Sequence, residues 1–194
     1  MKLIQQSLFD IPFWKIQIIN FKKKKKELIK ILESYPEEKK EPTEFFANRQ
    51  TDRSGLIEQF ASIMNQELEV FSKEIMEDFV ITETWSVSYV QGDYQLPHNH
   101  SSMGLTGILY LDLPKDSPET VYIQPWNNYE NDTIQYFSLS ITEGDIVIVP
   151  SFILHFSRPN KSEETKRIIS WDMKILDESQ FFQGNTLRKK LSLY

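Results

Sequence analysis

The sequence predicts a mainly β domain with helices (α+β), an antiparallel barrel or jelly roll backed by N-terminal helices. Apolar residues repeat every three to four positions before residue 80, which is typical of amphipathic helices, and at every second position after it, which is typical of half-buried strands. Turn residues separate the strand-like segments, which lie at 81–90, 105–113, 120–125, 134–140, 145–150, 152–157 and 167–176. Such a series of strands after two helices indicates two facing sheets with the helices on one side.

The helical half contains two amphipathic patterns. The first begins at the lysine run 22–26 and ends before Pro36, so we interpret the lysines as a solvated helix start. The second is a longer helix over residues 54–77, capped by Asp52 or Ser54. Its apolar stripe needs a partner surface, and we expect it to pack on a sheet. The stripe consists of Leu56, Phe60, Ile63, Met64, Leu68, Phe71 and Ile75.

Composition sets limits on the class of protein. The chain has 194 residues, of which 40% are hydrophobic and 13% aromatic, as expected of one folded domain. We assign residues 1–79 to an N-terminal strand and helices, 80–176 to the barrel and 177–194 to a C-terminal tail. The net charge of −6 disfavours nucleic acid as a partner. Because the chain has no cysteine, any metal must take histidine or carboxylate ligands.

No targeting or membrane segment is recognisable in the sequence. No apolar run approaches ~18 residues, and the N-terminus lacks the apolar core of a signal peptide. We therefore expect a cytoplasmic protein without a membrane partner. The sequence leaves open whether the chain forms a homo-oligomer.

The three histidines of the chain lie at places typical of metal ligands. His98 and His100 form an H-x-H pair, and residues two apart on a strand point to the same face. His155 lies 55 residues beyond His100, directly after a second apolar segment, GDIVIVPSFIL. Two histidines on one strand and a distant third predict a metal site at His98, His100 and His155.

A basic residue on a later strand is the second candidate for function. By alternation, Arg167 shares its strand face with Ile169, Trp171 and Met173. An arginine on an apolar face needs an anion, and its planar fork suits a carboxylate. That carboxylate could belong to a ligand or to an acidic residue of the chain, and periodicity does not decide between them.

Several segments of the chain resemble the iron(II)- and 2-oxoglutarate-dependent oxygenases, especially their prolyl-hydroxylase-like branch with an H-x-H motif. The resemblance covers about residues 7–175, and its combination of motifs in order is more specific than any one of them. The matching stretches are SLFDIPFW, YVQGDYQLPHNH, LTGILYLDLP, EGDIVIVPSFILH and RIISWD.

The resemblance implies a double-stranded β-helix that binds Fe(II), 2-oxoglutarate as co-substrate and O2. It implies His98, His100 and His155 as metal ligands, with no other catalytic residue. Arg167 would bind the distal carboxylate of 2-oxoglutarate. Tyr110 would lie beside it, and Tyr89 would face the same cavity.

The same resemblance implies a reaction and a class of substrate. The reaction would be hydroxylation of a peptide or protein side chain, or of a small metabolite, at a mouth formed by residues 126–129. Histidine at position 100 departs from the usual H-x-D pattern of the wider superfamily, and QPWNN replaces a glycine-containing segment at the mouth.

Two other functions remain open from the sequence. Cupins share this barrel, and Gly92, His98 and His100 match their first motif, but Leu105 stands where their glutamate ligand should be. A cupin-like protein would bind metal without 2-oxoglutarate. The third alternative is a scaffold that keeps the barrel without turnover.

Overall fold

The computed structural model describes residues 11–35, 48–51, 55–128 and 130–176, with backbone only for 48–51. Several predictions lie outside these residues, namely those for SLFD (7–10), Asp52, Ser54, Tyr129 and the tail 177–194. The described part contains three helices: α1 (Phe21–Leu32), α2 (Gly55–Ile63) and α3 (Asn65–Ile75). Its ten strands are β1 (Trp14–Gln17), β2 (Asn48–Thr51), β3 (Phe79–Tyr89), β4 (Gln95–His98), β5 (Leu105–Asp112), β6 (Thr120–Ile123), β7 (Tyr136–Ser138), β8 (Asp145–Pro150), β9 (His155–Ser157) and β10 (Lys166–Ile175).

The strands form two antiparallel sheets, as predicted. The larger sheet has the order β1-β8-β5-β10-β3-β2, and the smaller has the order β4-β9-β6-β7. From β3 to β10 the chain crosses to the other sheet at each step except from β6 to β7, which are paired in the smaller sheet, and this is the winding of a double-stranded β-helix. This confirms the predicted fold class.

Both faces of the larger sheet are buried, against different partners. One face packs on the helices and forms an apolar cluster that includes Phe60, Phe71, Leu109, Ile169 and Trp171, which we call the outer core. The opposite face looks toward the smaller sheet. Its cluster, which we call the barrel interior, contains Trp85, Val87, Tyr89, Ile108, Tyr110, Tyr122, Val147, Val149, Ile153 and Ile168.

The apolar stripe of the helical half lies in the outer core, as predicted. Leu56, Phe60, Met64 and Phe71 are all at most 1% exposed. Burying each of these side chains stabilises the fold by about 1.5–3 kcal/mol. The stripe is therefore the surface that attaches the helices to the larger sheet.

The segment 54–77 forms two helices, which corrects the prediction of one. Met64 separates α2 from α3 with backbone angles of φ −94° and ψ 9°, outside the helical range. Its amide still donates to the Phe60 carbonyl at 2.9 Å, so the hydrogen bonding continues across the junction. Neither glycine nor proline marks this break, and the periodicity alone did not reveal it.

One close approach fixes the packing of β5 against β10. A Cβ at Gly107 would lie 2.2 Å from the ring of Trp171, so glycine is the residue that fits there. The paired residues Gly107 and Trp171 also set the register of the two strands. None of the helices in the described ranges is both long enough and apolar enough to cross a membrane.

Candidate metal centre

The three histidines meet at one end of the barrel. His98 is the last residue of β4, and it pairs directly with His155, the first residue of β9. His100 lies two residues beyond β4, where its backbone amide donates to the Ser151 carbonyl at 3.0 Å. The two ends of a 55-residue separation are thus brought together by the pairing of β4 with β9.

The side chains of this group are close enough for small shifts to bring three nitrogens onto one metal ion. One ligand nitrogen from each histidine can be chosen so that all three lie within 4.8 Å of one another. The ring centroids of His98 and His155 are 4.5 Å apart, and that of His100 lies 5.1 Å from His155. Ligand nitrogens on a common ion are at most about 4.2 Å apart, since each bond is about 2.1 Å. The predicted convergence of the three side chains is confirmed.

Hydrogen bonds engage the same nitrogen, Nδ1, on each ring. His98 Nδ1 lies 2.8 Å from the Leu96 carbonyl, and His155 Nδ1 lies 3.0 Å from the Ile153 carbonyl. His100 Nδ1 lies 2.8 Å from Asp172 Oδ1. Because carbonyl and carboxylate oxygens only accept, Nδ1 carries the proton in each hydrogen bond. The lone pair that a metal would take is therefore on Nε2 of each ring, and the Nε2 of His98 also lies 3.2 Å from the Gln95 amide nitrogen.

Electrostatics favour a neutral imidazole at His155. His155 is buried, and its burial together with the neighbouring His98 lowers its pKa to about 3. Metal ligation requires the unprotonated ring nitrogen. His155 is thus in the ligating state at neutral pH without having to release a proton.

Two polar residues next to the histidines were not identified from the sequence. Asp172 accepts hydrogen bonds from His100 and from the Thr106 hydroxyl, both at 2.8 Å. Gln95 Nε2 lies 3.2 Å from His98 Nε2, and the Tyr89 hydroxyl donates to Gln95 Oε1 at 2.7 Å. Alternation from Lys166 places Asp172 on the inward face of β10 but gives no distance to His100, whereas Gln95, three residues before His98, falls on the opposite face by alternation and reaches His98 across a register irregularity in β4.

Both predicted tyrosines lie in the barrel interior. Tyr89 contacts the histidine cluster through Gln95, as described above. Tyr110 is buried, which raises its pKa to about 12, and its hydroxyl donates to Thr120 Oγ1 at 2.8 Å. The hydroxyl of Tyr122 is also buried, and it lies close enough to Tyr110 to influence the pKa of Tyr110. It forms no hydrogen bond with a described residue. An unsatisfied buried hydroxyl indicates a place for a polar partner.

A lysine occupies the inward position at the start of β10. Lys166 is 1% exposed, and its Nζ donates to the Pro118 carbonyl at 2.7 Å and to Ser157 Oγ at 3.2 Å. The same Nζ lies 5.1 Å from the ring centroid of Tyr89. Burial lowers its pKa to about 8, although the carboxylate of Glu119 opposes this shift. Lys166 forms no ion pair with any described residue, so it is a buried cation that lacks an anion.

Arg167 does not face the barrel interior, which corrects the prediction from its strand face. Ile169 and Trp171, which share that face, belong to the outer core under the helices. The guanidinium Nε lies 3.7 Å from Asp112 Oδ2, a carboxylate that also binds Lys25 of α1. The open alternative of an ion pair within the chain is the one observed.

An apolar cavity opens beside the histidines. It has a volume of about 300 Å³ and shares Tyr122 and Ile153 with the barrel interior. Tyr122 also contacts His155, with ring centroids 6.0 Å apart. Trp126, at the predicted mouth, is part of the cavity wall and is 46% exposed. This aromatic wall therefore connects the histidine cluster to the surface.

Comparison with known proteins identifies this barrel. Residues 83–172 match the family model described as "Putative 2OG-Fe(II) oxygenase", and this range contains all three histidines and Lys166. No curated protein matches the chain.

Solved structures of similar fold come from the same class of enzymes. The viral collagen prolyl hydroxylase of Paramecium Bursaria Chlorella virus-1, in a 2OG complex, is 14% identical, with a TM-score of 0.57 over 84% of this chain and 96% of that one. A Pseudomonas putida prolyl-4-hydroxylase is 13% identical, with a TM-score of 0.58 over 84% and 92%. HygX from Streptomyces hygroscopicus, with nickel, 2-oxoglutarate and hygromycin B, is 10% identical, with a TM-score of 0.63 over 84% and 82%. The chain is thus similar to the 2OG-Fe(II) oxygenases in the sequence of residues 83–172, and it shares its fold with these solved structures.

Proposed function

We propose that the protein is an Fe(II)- and 2-oxoglutarate-dependent oxygenase that hydroxylates a peptide or protein side chain or a small metabolite. The observation that carries this proposal is the presence of two features on the inward side of one barrel. A cluster of three histidines lies at one end of the barrel, and the buried Lys166, which forms no ion pair with a described residue, contacts Ser157, two residues beyond His155 on β9. A metal-binding cupin or an inert scaffold has no use for the second feature.

The residues present fit a divalent metal. His98, His100 and His155 would hold it through Nε2, because their Nδ1 atoms are engaged elsewhere. Imidazole ligands suit Fe(II), and three ligands on one side leave positions open for other molecules. When bound, iron and 2-oxoglutarate together supply the oxidising chemistry that protein side chains lack. The tasks left to the chain are to bind, to orient and to exclude water.

The residues also fit a dicarboxylate that reaches from the metal to Lys166. His155 and Ser157 are the two inward residues of β9, and residues two apart on a strand span roughly 6.6 Å. Ser157 lies 3.2 Å from Lys166 Nζ. One carboxylate of 2-oxoglutarate would therefore meet Lys166 while the keto acid end lies at the histidines. The Tyr122 hydroxyl, which has no hydrogen-bond partner among the described residues, would be a further donor for that carboxylate, and the Tyr110 hydroxyl would become one by turning its proton away from Thr120 Oγ1. We assign the co-substrate contact to Lys166 instead of Arg167.

The class of the prime substrate is proposed by analogy with the similar structures. They include two prolyl hydroxylases and an enzyme solved with hygromycin B, so both peptide and metabolite substrates occur on this fold. None of the described residues that line the apolar cavity beside His155 is charged. It would accept an uncharged part of the substrate next to the metal.

The test is anaerobic binding to purified protein. Calorimetry and absorbance should show one equivalent of Fe(II) bound to the wild type and none to His155→Ala. 2-Oxoglutarate should then bind to the metal-loaded protein, and in air it should be consumed slowly even without a prime substrate.

Two other results would contradict the proposal in different ways. Metal binding without 2-oxoglutarate binding would favour the cupin-like alternative. A wild type that binds neither would favour a barrel without catalytic function. Circular dichroism of His155→Ala serves as the control for folding.

A further inference from the structure

The histidine cluster lacks the carboxylate that mononuclear iron sites of the facial type contain. The common ligand set is two histidines and one carboxylate, and the carboxylate contributes one negative charge to the metal site. Three neutral imidazoles leave the ion one unit more positive. The nearest negative charge in the described structure is Asp172, which touches the histidine at the substituted position.

Asp172 lies on the inward face of β10. It pairs with Thr106 of β5 across the sheet, and its side chain is 22% exposed. Its Oδ1 atom accepts from His100 Nδ1 and from Thr106 Oγ1, both at 2.8 Å. His100 is 72 residues away along the chain, so only the winding of the barrel brings the two together.

The hydrogen bonds around Asp172 run in one direction. Thr106 has a single hydroxyl proton, which it donates to Asp172, so the Ser151 hydroxyl must donate to Thr106 over their 2.9 Å contact. Ser151 also accepts the amide of His100 at its carbonyl. The chain of donors thus ends on Asp172 Oδ1, which accepts from both His100 and Thr106.

Packing holds His100 in this contact. The indole of Trp85 stacks on its ring, with centroids 5.2 Å apart and an interplanar angle of 26°. The His100 side chain is only 8% exposed. The ring is therefore clamped between Trp85 and the other histidines, with one nitrogen on Asp172 and the other toward the proposed metal.

We propose that Asp172 is the positioning residue that supplies, through His100, the negative charge of the missing carboxylate ligand. This inference rests on the proposed function. A carboxylate bonded to Nδ1 fixes the tautomer, orients Nε2 and raises the basicity of the ring. His100 and Asp172 then act as one anionic unit. Asp172 on β10 thus compensates for the histidine that replaces the usual carboxylate ligand in the H-x-H motif.

A purely structural role for Asp172 is the alternative. In that case the carboxylate would only anchor β10 to the loop that carries His100, and its removal would lower stability without changing the metal. Affinity and the electronic spectrum of the bound ion distinguish the two roles. Co(II) is a suitable probe because its absorption reports on the ligand field and does not require turnover.

The experiment compares Asp172→Asn with the wild type by anaerobic Fe(II) calorimetry and by Co(II) absorption. We expect the affinity to fall about 10- to 100-fold and the Co(II) bands to shift, because the amide keeps the shape of the side chain but not its charge. Asp116→Asn, at an exposed loop position, makes the same change in net charge and should change neither quantity. Thr106→Val removes a hydroxyl from the same carboxylate and should have a smaller effect.

The decisive control is the same change in a His100→Asp background. With a carboxylate already on the metal, Asp172 is no longer needed and adds repulsion, so Asp172→Asn should leave the affinity equal or increase it. An equal loss in both backgrounds, or unchanged affinity and Co(II) bands in Asp172→Asn alone, would overturn the inference. If His100→Asp binds no metal, the Co(II) bands of Asp172→Asn in the wild-type background decide between the two roles of Asp172. A wild type that binds no metal would instead refute the proposed function.

Discussion

Lys166 and Arg167 are neighbours on β10, yet their side chains lie on opposite faces of the larger sheet. Lys166 Nζ is buried in the barrel interior against Ser157 and Tyr89, while Arg167 pairs with Asp112 on the helix side. The two residues carry the same charge and are one position apart, which makes them a matched pair for testing how the co-substrate binds.

Replacement of Lys166 by methionine should abolish most of the binding of 2-oxoglutarate. Loss of a charged hydrogen bond costs about 1.5–3 kcal/mol, or about 10- to 150-fold in affinity. Arg167→Met should leave this affinity unchanged and lower stability by at most about 1 kcal/mol, since its ion pair is partly exposed. Anaerobic calorimetry on metal-loaded proteins measures both. A larger loss of affinity in the arginine variant would restore Arg167 as the co-substrate residue.

Binding of 2-oxoglutarate should weaken as the pH rises above about 8. Burial lowers the pKa of Lys166 to about 8, so the free protein loses this positive charge at a lower pH than an ordinary lysine would. Affinity should be constant below that pH and fall up to about tenfold per pH unit above it. The arginine of Lys166→Arg stays charged over this pH range, so the affinity of this variant for 2-oxoglutarate should not decline. A flat profile in the wild type would contradict the role of Lys166.

The same shift predicts how stability changes with pH. Between about 8 and the ordinary lysine value of 10.5, the unfolded chain still binds the proton that the folded chain has lost. The Lys166 contribution to the free energy of unfolding should therefore increase as the pH rises through this window. Urea unfolding of the ligand-free wild type, compared with Lys166→Met, isolates this contribution. An identical pH profile in the two proteins would contradict the shifted pKa.

The Tyr110 hydroxyl should contribute less to co-substrate binding than Lys166. Its pKa of about 12 keeps it protonated at neutral pH, so it remains a donor beside the unsatisfied Tyr122 hydroxyl. We expect Tyr110→Phe to weaken 2-oxoglutarate by ~1 kcal/mol, as for a neutral hydrogen bond. Metal affinity, measured in parallel, should not change. A loss as large as that of Lys166→Met would mean that the tyrosine is a principal contact.

The packing of β5 on β10 predicts a defined cost for one added methyl group. Gly107→Ala places a Cβ within 2.2 Å of the Trp171 ring, which must shift or leave its rotamer. Overpacking of this kind costs about 1–3 kcal/mol in the free energy of unfolding. Chemical denaturation measures it. No change in stability would show that Trp171 can move freely in the outer core.

Much of the fold follows from local patterns that need no knowledge of contacts. The change of period near residue 80, the apolar stripe of α2 and α3, and the turn residues between strands are properties of short segments. The histidines were likewise identified by spacing, since His98 and His100 lie together and His155 follows a strong strand signal. The convergence of the three histidines and the barrel could therefore be predicted.

Only the tertiary structure decided which strand face is the interior. Alternation divides β10 into two sets, but both are buried, one under the helices and one against the smaller sheet. Hydrophobicity therefore could not show whether the face with Ile169 and Trp171 or the face with Ile168 and Ser170 is the barrel interior. Arg167 was predicted on the wrong face for this reason. The contact of Asp172 with His100 depends on the winding of the two sheets over 72 residues. Short-range periodicity carries the identity of each element, whereas the choice between two buried faces depends on what each face is packed against.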